Sequence, residues 1–244
     1  MNSRFCAAGL HLLCSVSLGI ATLGIVYLVW YPFPLAAATG VGGVFFILLA
    51  VDLALGPLLT LLVYRKEKKG LVFDLSVIAI LQAGAFFYGV HAIAVARPAW
   101  IVFNVDRFDL VQANEVDARF LADSDAKFRH ASWTGPFLVG SRAPLDPQRR
   151  NQLILESSLG GADLPQRLDL YVPIEQEAEN IKDKAHSLKE LARYNKLDTL
   201  QAVLAKWPEA DSWLPLMAKV QPVTVLVSKR NGAVVSIVDL RPWN

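Results

Sequence analysis

Asp52, Gln82 and His11 are polar side chains set in stretches that otherwise read as hydrocarbon, and Asp74 stands just beyond a basic cluster. Residues of these types in an apolar setting can hydrogen-bond one helix to another, receive a partner's helix, or relay an ion or proton. A carboxyl near a helix centre costs roughly 2.5 to 3.5 kcal/mol on membrane-insertion scales, and each Leu, Ile, Phe or Val returns about 0.3 to 0.6. The stretch around Asp52 is rich in those residues and inserts regardless. What matters is the partner that Asp52 finds, because an unpaired carboxyl in hydrocarbon is expensive.

Three elements position these groups. The chain has 244 residues, 54% of them hydrophobic, and a mean hydropathy of +0.37. Residues 5–51 contain no Asp, Glu, Lys or Arg, whereas residues 97–244 hold 19 of the 24 basic and 19 of the 22 acidic side chains. Composition therefore predicts a membrane protein with three N-terminal transmembrane α-helices in residues 1–96, followed by a small α+β periplasmic domain in residues 97–244. The spans are expected at Ala8 to Trp30, Gly42 to Tyr64 and Phe73 to Val95. Arg65, Lys66, Lys68 and Lys69 hold the second loop in the cytoplasm, Arg4 agrees with a cytoplasmic N-terminus, and the uncharged loop from Tyr31 to Gly40 crosses cheaply. The rival reading of the first span as a cleavable signal peptide, with Ala36-Ala37-Ala38 as its site, leaves the remaining topology unchanged.

Matching depths on antiparallel spans puts Gln82 opposite Asp52 and Asp74 near His11. Pro57 cannot bond back to Leu53, so Gly56-Pro57 predicts a kink, and Gly42, Gly43, Gly56, Gly84 and Gly89 allow close helix approach. Asp52, Gln82, Gly56 and Pro57 thus either lock a three-helix bundle or form a polar face for a partner's helix. An ion path is the third reading, disfavoured by the lack of an intramembrane cation. Cys6 and Cys14 fall in or beside the first span, where they are expected to pack as small apolar residues.

In the exported part, alternation from Ile101 to Leu110 around Asp106-Arg107 predicts a hairpin, with a helix from Ala113 to Leu121. Asp146 caps an expected helix from Pro147 to Leu159 that a Gly-Gly pair ends. Ile174, Ala178, Ile181, Ala185, Leu188 and Ala192 form the stripe of one helix over 174–195, and a shorter helix runs from Leu197 to Lys206. Asn231-Gly232 between two β-rich runs predicts a closing hairpin. Asp106, Arg107 and Phe108 are candidate periplasmic contacts, with a plain charged turn as the alternative for the first two.

The sequence carries no Cys-x-x-Cys, His-Glu-x-x-His, Gly-x-Ser-x-Gly or P-loop motif, and its four histidines are scattered. No catalytic residue, cofactor or metal is therefore expected, and the 19-to-19 charge balance of the domain offers no footprint for nucleic acid.

HLLCSVSLGI followed by VYLVWYPFPL, the stretch VDLALGPLLTLLVYRKEKKGLVFDL, the segment RPAWIVFNVDRFDLVQANEVD and the terminal VDLRPWN together resemble the TfpX/TfpZ family of type IV pilin accessory proteins, also described as FimB-like fimbrial assembly proteins. The resemblance runs over nearly the whole chain and brings no catalytic residue with it. It implies a multi-pass protein of the bacterial inner membrane that helps a cognate type IV major pilin reach the fibre, with other pilus assembly proteins as further partners. The start of the chain lacks a pilin processing site, so a helper is expected rather than a pilin. A scaffold of another envelope machine and a membrane-anchored periplasmic enzyme are the alternatives.

Overall fold

The computed structural model describes residues 3–243, which divide into two compact units. The first comprises residues up to Val29 together with Gly40–Ala96, and the second comprises Trp30–Thr39 together with residues from Arg97 onward.

Three helices long and apolar enough to cross a membrane dominate the first unit, at Ser3–Trp30, Val41–Val63 and Leu71–Val95, with mean hydropathies of 2.2, 2.4 and 1.8. The second is the central one: Leu49 sits over Gly19 of the first helix, and Leu48 over Gly89 of the third. Most large apolar side chains of the three point outward, Leu10, Ile20, Leu28, Phe46, Ile80 and Phe87 among them. A water-soluble bundle would bury that area. The helical ladder is interrupted in the second helix, where Val51–Leu55 form a π-helical turn directly before Gly56 and Pro57. Pro57 has no N–H to return to Leu53, and the wider turn falls at the position where Gly56-Pro57 is expected to disturb the helix.

The second unit is built on one mixed sheet of eight strands. β1 (Pro98–Asn104) and β2 (Arg107–Gln112) form the first hairpin, and β3 (Phe137–Ser141) and β4 (Tyr171–Pro173) extend the sheet on the β1 side. β5 (His186–Ser187) pairs with β6 (Ser212–Met217), which lies parallel to β2. β7 (Val223–Ser228) and β8 (Ala233–Val238) close the order β4-β3-β1-β2-β6-β7-β8. Alternation along β1 sends Ile101 and Phe103 into a core with Phe108, Ile181, Leu214 and Leu216, and Trp100 and Val102 into another with Val139, Leu168 and Tyr171. β1 is accordingly buried along its whole length.

Several local expectations hold. The helix Pro147–Ser158 starts from Asp146, whose carboxyl accepts the Gln148 N–H at 3.2 Å, and a helix covers Leu197–Leu204. Gly232 takes the left-handed conformation in the β7–β8 turn at φ 70°.

Others are corrected. The 174–195 segment is not one helix but a 3₁₀ turn (Ile174–Glu177), a helix of two turns (Ala178–Lys184), β5, and a second 3₁₀ stretch (Leu188–Arg193). Sheet pairing overrides helix propensity there. Ala185 turns extended so that His186 pairs with Trp213, the Trp213 indole donates to the Ser187 carbonyl at 3.0 Å, and Ser187 with Glu190 then caps the following turn. The core still takes Ile181, Ala185 and Leu191. The helix expected from Ala113 reduces to turns and a 3₁₀ piece, Ala118–Phe120, because Asp117 captures the Arg119 N–H. In the first hairpin the turn is Val105-Asp106, and Arg107 already pairs with Asn104.

The loop between the first two long helices is the largest surprise. Residues 30–39 belong to the second unit, and the helix Leu35–Thr39 places Leu35 and Ala38 in the core beside Ile101 and Leu216. The Ala38 carbonyl accepts the backbone N–H groups of Val220 and Gln221, at 3.1 and 3.3 Å.

Candidate functional site

The helical unit contains a cleft of about 330 Å³ lined by His11, Cys14, Ser15 and Leu18 of the first helix, Asp52 of the second, and Ala79, Gln82, Ala83, Phe86 and Phe87 of the third. Asp52 projects from the π-helical turn and is only 8% exposed, and no hydrogen bond from the described residues reaches its carboxyl. Gln82 lies in the same cleft, and its Oε1 is buried with no hydrogen-bond partner. Gly56 explains how Gln82 is held: a Cβ at that position would overlap the Gln82 amide, so the absence of a side chain creates its seat. Pro57 opens the helical turn behind it.

His11 does not meet Asp74. Its Nδ1 lies 2.6 Å from Thr60 Oγ1 on the second helix, and Asp74 forms an ion pair with Lys68 at 2.5 Å instead. Both members of that pair are partly exposed, and such pairs contribute about 0 to 1 kcal/mol. Asp74 sits in the first turn of the third helix, with the basic loop folded toward it. Depth matching could pair spans but not assign rotation about the helix axes, which decides which of two side chains at similar height His11 touches. Arg4, Arg65, Lys66, Lys68 and Lys69 are all exposed. Cys6 and Cys14 are exposed too, rather than packed, with Cys14 on the cleft wall.

In the second unit the residues of the first hairpin separate by role. Phe108 is fully buried, stacked edge-on against Phe103 at 5.3 Å, and so is a core residue and not a surface contact. Asp106 and Arg107 are exposed. Arg107 pairs with Asp109 at 3.2 Å, and Asn104 donates to the same carboxylate at 3.1 Å. Burial holds the Asp109 carboxyl above its ordinary range, against the opposing pull of Asn104 and Arg107. A shallow depression of about 280 Å³ adjoins it, where Lys219 bridges Glu115 at 2.9 Å and Gln112 at 2.6 Å.

Sequence reasoning missed two further clusters. Glu177 is buried under the sheet with Arg142 at 2.5 Å and Asn180 at 2.6 Å; an acid within a helix start gave no sign of burial. Arg97 is 5% exposed, donates to the carbonyls of Ser132 at 2.8 Å and Ala131 at 3.1 Å, and lies 3.8 Å above the Trp133 ring, which in turn meets Trp30 at 5.8 Å. This knot ties together the two places where the chain enters the second unit, Trp30 and Arg97. A groove of about 730 Å³ beside the helix Pro147–Ser158 carries charges of both signs, and its Arg167 is committed to Asp169 at 2.9 Å and to the Phe120 ring. No group of three or more His, Cys, Asp or Glu side chains able to hold a metal occurs among the described residues.

Fold and cleft together define a class of protein: three apolar helices of membrane-crossing length, an acid and an amide left open between them, and one mixed-sheet domain. The model of the fimbrial assembly protein FimB matches residues 1–40. Among the relatives, "Fimbrial assembly protein, serogroup E1" of Dichelobacter nodosus is 31% identical over 196 residues, covering 80% of this chain and 75% of the relative. The serogroup I protein of the same organism is 31% identical over 74% of this chain and 71% of its own length, and the protein of serogroups C1 and C2 is 33% identical over 45% of this chain. The chain belongs to this family of fimbrial assembly proteins. No solved structure matches it.

Proposed function

We propose that the protein is a multi-pass inner-membrane accessory of type IV pilus assembly that acts on a cognate major pilin, with its second unit in the periplasm. The observation that carries this is the likeness to fimbrial assembly proteins over 80% of the chain, which extends through both units. Two features support the finer reading. The three helices are long and apolar enough to cross a bilayer, and their outward faces are apolar. A membrane subunit with a helix and an exported head would meet matching surfaces on a helper of this build. The basic loop Arg65–Lys69 favours the cytoplasmic side, which sends the second unit outward.

In this role the protein works by contact and not by covalent chemistry. A clean deletion is expected to reduce surface pili or shorten the lifetime of the pilin, measured by immunoblot of sheared fibres and of whole membranes, with restoration by the matching gene. Unchanged piliation and pilin levels in the deletion strain would sink the proposal.

A further inference from the structure

We infer that the cleft between the first and third long helices is a docking groove for a partner's membrane-spanning helix, one that brings a hydrogen-bond donor to mid-membrane. This rests on the membrane-accessory reading above.

Asp52 is the midpoint of the helix Val41–Val63. At 1.5 Å per residue it lies about 16 Å from either end, beyond the reach of lipid headgroups. Gln82 is at a similar depth in Leu71–Val95. The cleft therefore presents two acceptors, the Asp52 carboxyl and Gln82 Oε1, that no described residue satisfies. Ionised or protonated, the carboxyl keeps an accepting oxygen. Acyl chains have no donor to offer, so lipid filling the cleft would leave both acceptors open, a state worth avoiding by more than any single packing contact returns.

Of the other polar groups on the cleft wall, His11 uses its Nδ1 on Thr60 and acts on Asp52 through charge alone, and among the described residues no hydrogen bond joins Ser15 to either acceptor. The walls suit a helix. Cys14, Ser15, Ala79 and Ala83 are small enough for a backbone to come close, with Leu18 and Phe86 as apolar flanks. Asp52 stands in the π-helical turn Val51–Leu55, directly before Gly56, whose missing side chain seats the Gln82 amide.

Cys14 on the cleft wall is a native reporter. The experiment uses the full-length protein in membranes with Cys6→Ser, leaving Cys14 as the sole thiol. It is co-expressed with a single-pass leucine-alanine helix carrying one central lysine and a cysteine one turn away, and oxidised with copper phenanthroline. Heterodimer is expected at least fivefold above that of the same helix with methionine in place of lysine. Ala83→Leu, which fills the groove and leaves Asp52 in place, is expected to abolish the difference, as is Asp52→Leu. Equal crosslinking of the lysine and methionine helices, or indifference to Ala83→Leu, would overturn the inference. The same assay with the cognate major pilin separates the two proposals. Docking of the designed helix but not of the pilin upholds the groove and removes only the pilin as its occupant. Failure of the designed helix overturns the groove, while the deletion phenotype judges the accessory role on its own.

Discussion

At the scale of single residues, the helical unit is organised by what one glycine leaves empty. The Gln82 amide occupies the space where a Gly56 side chain would be, and this brings its carbonyl into the same cleft as Asp52. Gly84 on the third helix has open space around it. Gly56→Ala is therefore expected to lower the stability of the detergent-solubilised protein by about 1 to 3 kcal/mol through overpacking, whereas Gly84→Ala is neutral or slightly stabilising because Ala is the better helix former. Thermal unfolding followed by circular dichroism, with the two variants side by side, checks this. Equal losses would mean that Gln82 moves away at no cost. Glu177 illustrates the opposite arrangement: each oxygen of its buried carboxylate has a partner within the protein, Arg142 for one and Asn180 for the other.

At the scale of elements, the segment between the first two long helices is a structural part of the sheet domain. Leu35 is almost completely buried among residues of β1, β2 and β6, and Ala38 receives two backbone hydrogen bonds from the loop after β6. A folding unit defined as residues 97–244 lacks this helix and exposes the apolar surface it covers. Leu35→Ala is expected to destabilise the second unit by about 2 to 5 kcal/mol, the range for truncating a buried leucine. Urea unfolding monitored by tryptophan emission reads it, since Trp30, Trp100, Trp133 and Trp213 all lie in that unit. A change below about 1 kcal/mol, the level of ordinary surface substitutions, would show that the helix only rests on the sheet.

At the scale of the whole molecule, this same packing constrains topology. Residues 30–39 and the chain from Arg97 onward form one compact unit, so they reside on one side of whatever the long helices cross. Single cysteines introduced at Ala37 and His130, in a Cys6→Ser, Cys14→Ser background, are expected to react with a membrane-impermeant maleimide in intact spheroplasts. A cysteine at Glu67 is expected to react only after permeabilisation. Labelling of all three from outside would remove the three-crossing arrangement.

The sequence by itself determined the features that depend on composition or on a few neighbours. Helix length and hydropathy set the three long helices, and Asp146 before Pro147 set a helix start. Asn-Gly set the last hairpin, and depth along two antiparallel helices brought Asp52 and Gln82 to one level. Only the tertiary structure decided what depends on long-range competition. The 174–195 stripe has a clean helical period, yet β6 offers backbone partners and a place for the Trp213 indole, and sheet pairing won over local propensity. Phe108 alternates with Leu110 on a strand, but only the sheet packed around it decided that this aromatic turns into the core rather than toward a partner. An uncharged loop such as WYPFPLAAAT, with aromatic residues suited to a membrane interface, reads alike whether it is solvated or docked. Its burial is dictated by a sheet surface assembled from segments more than 60 residues away, a separation at which no local pattern carries information.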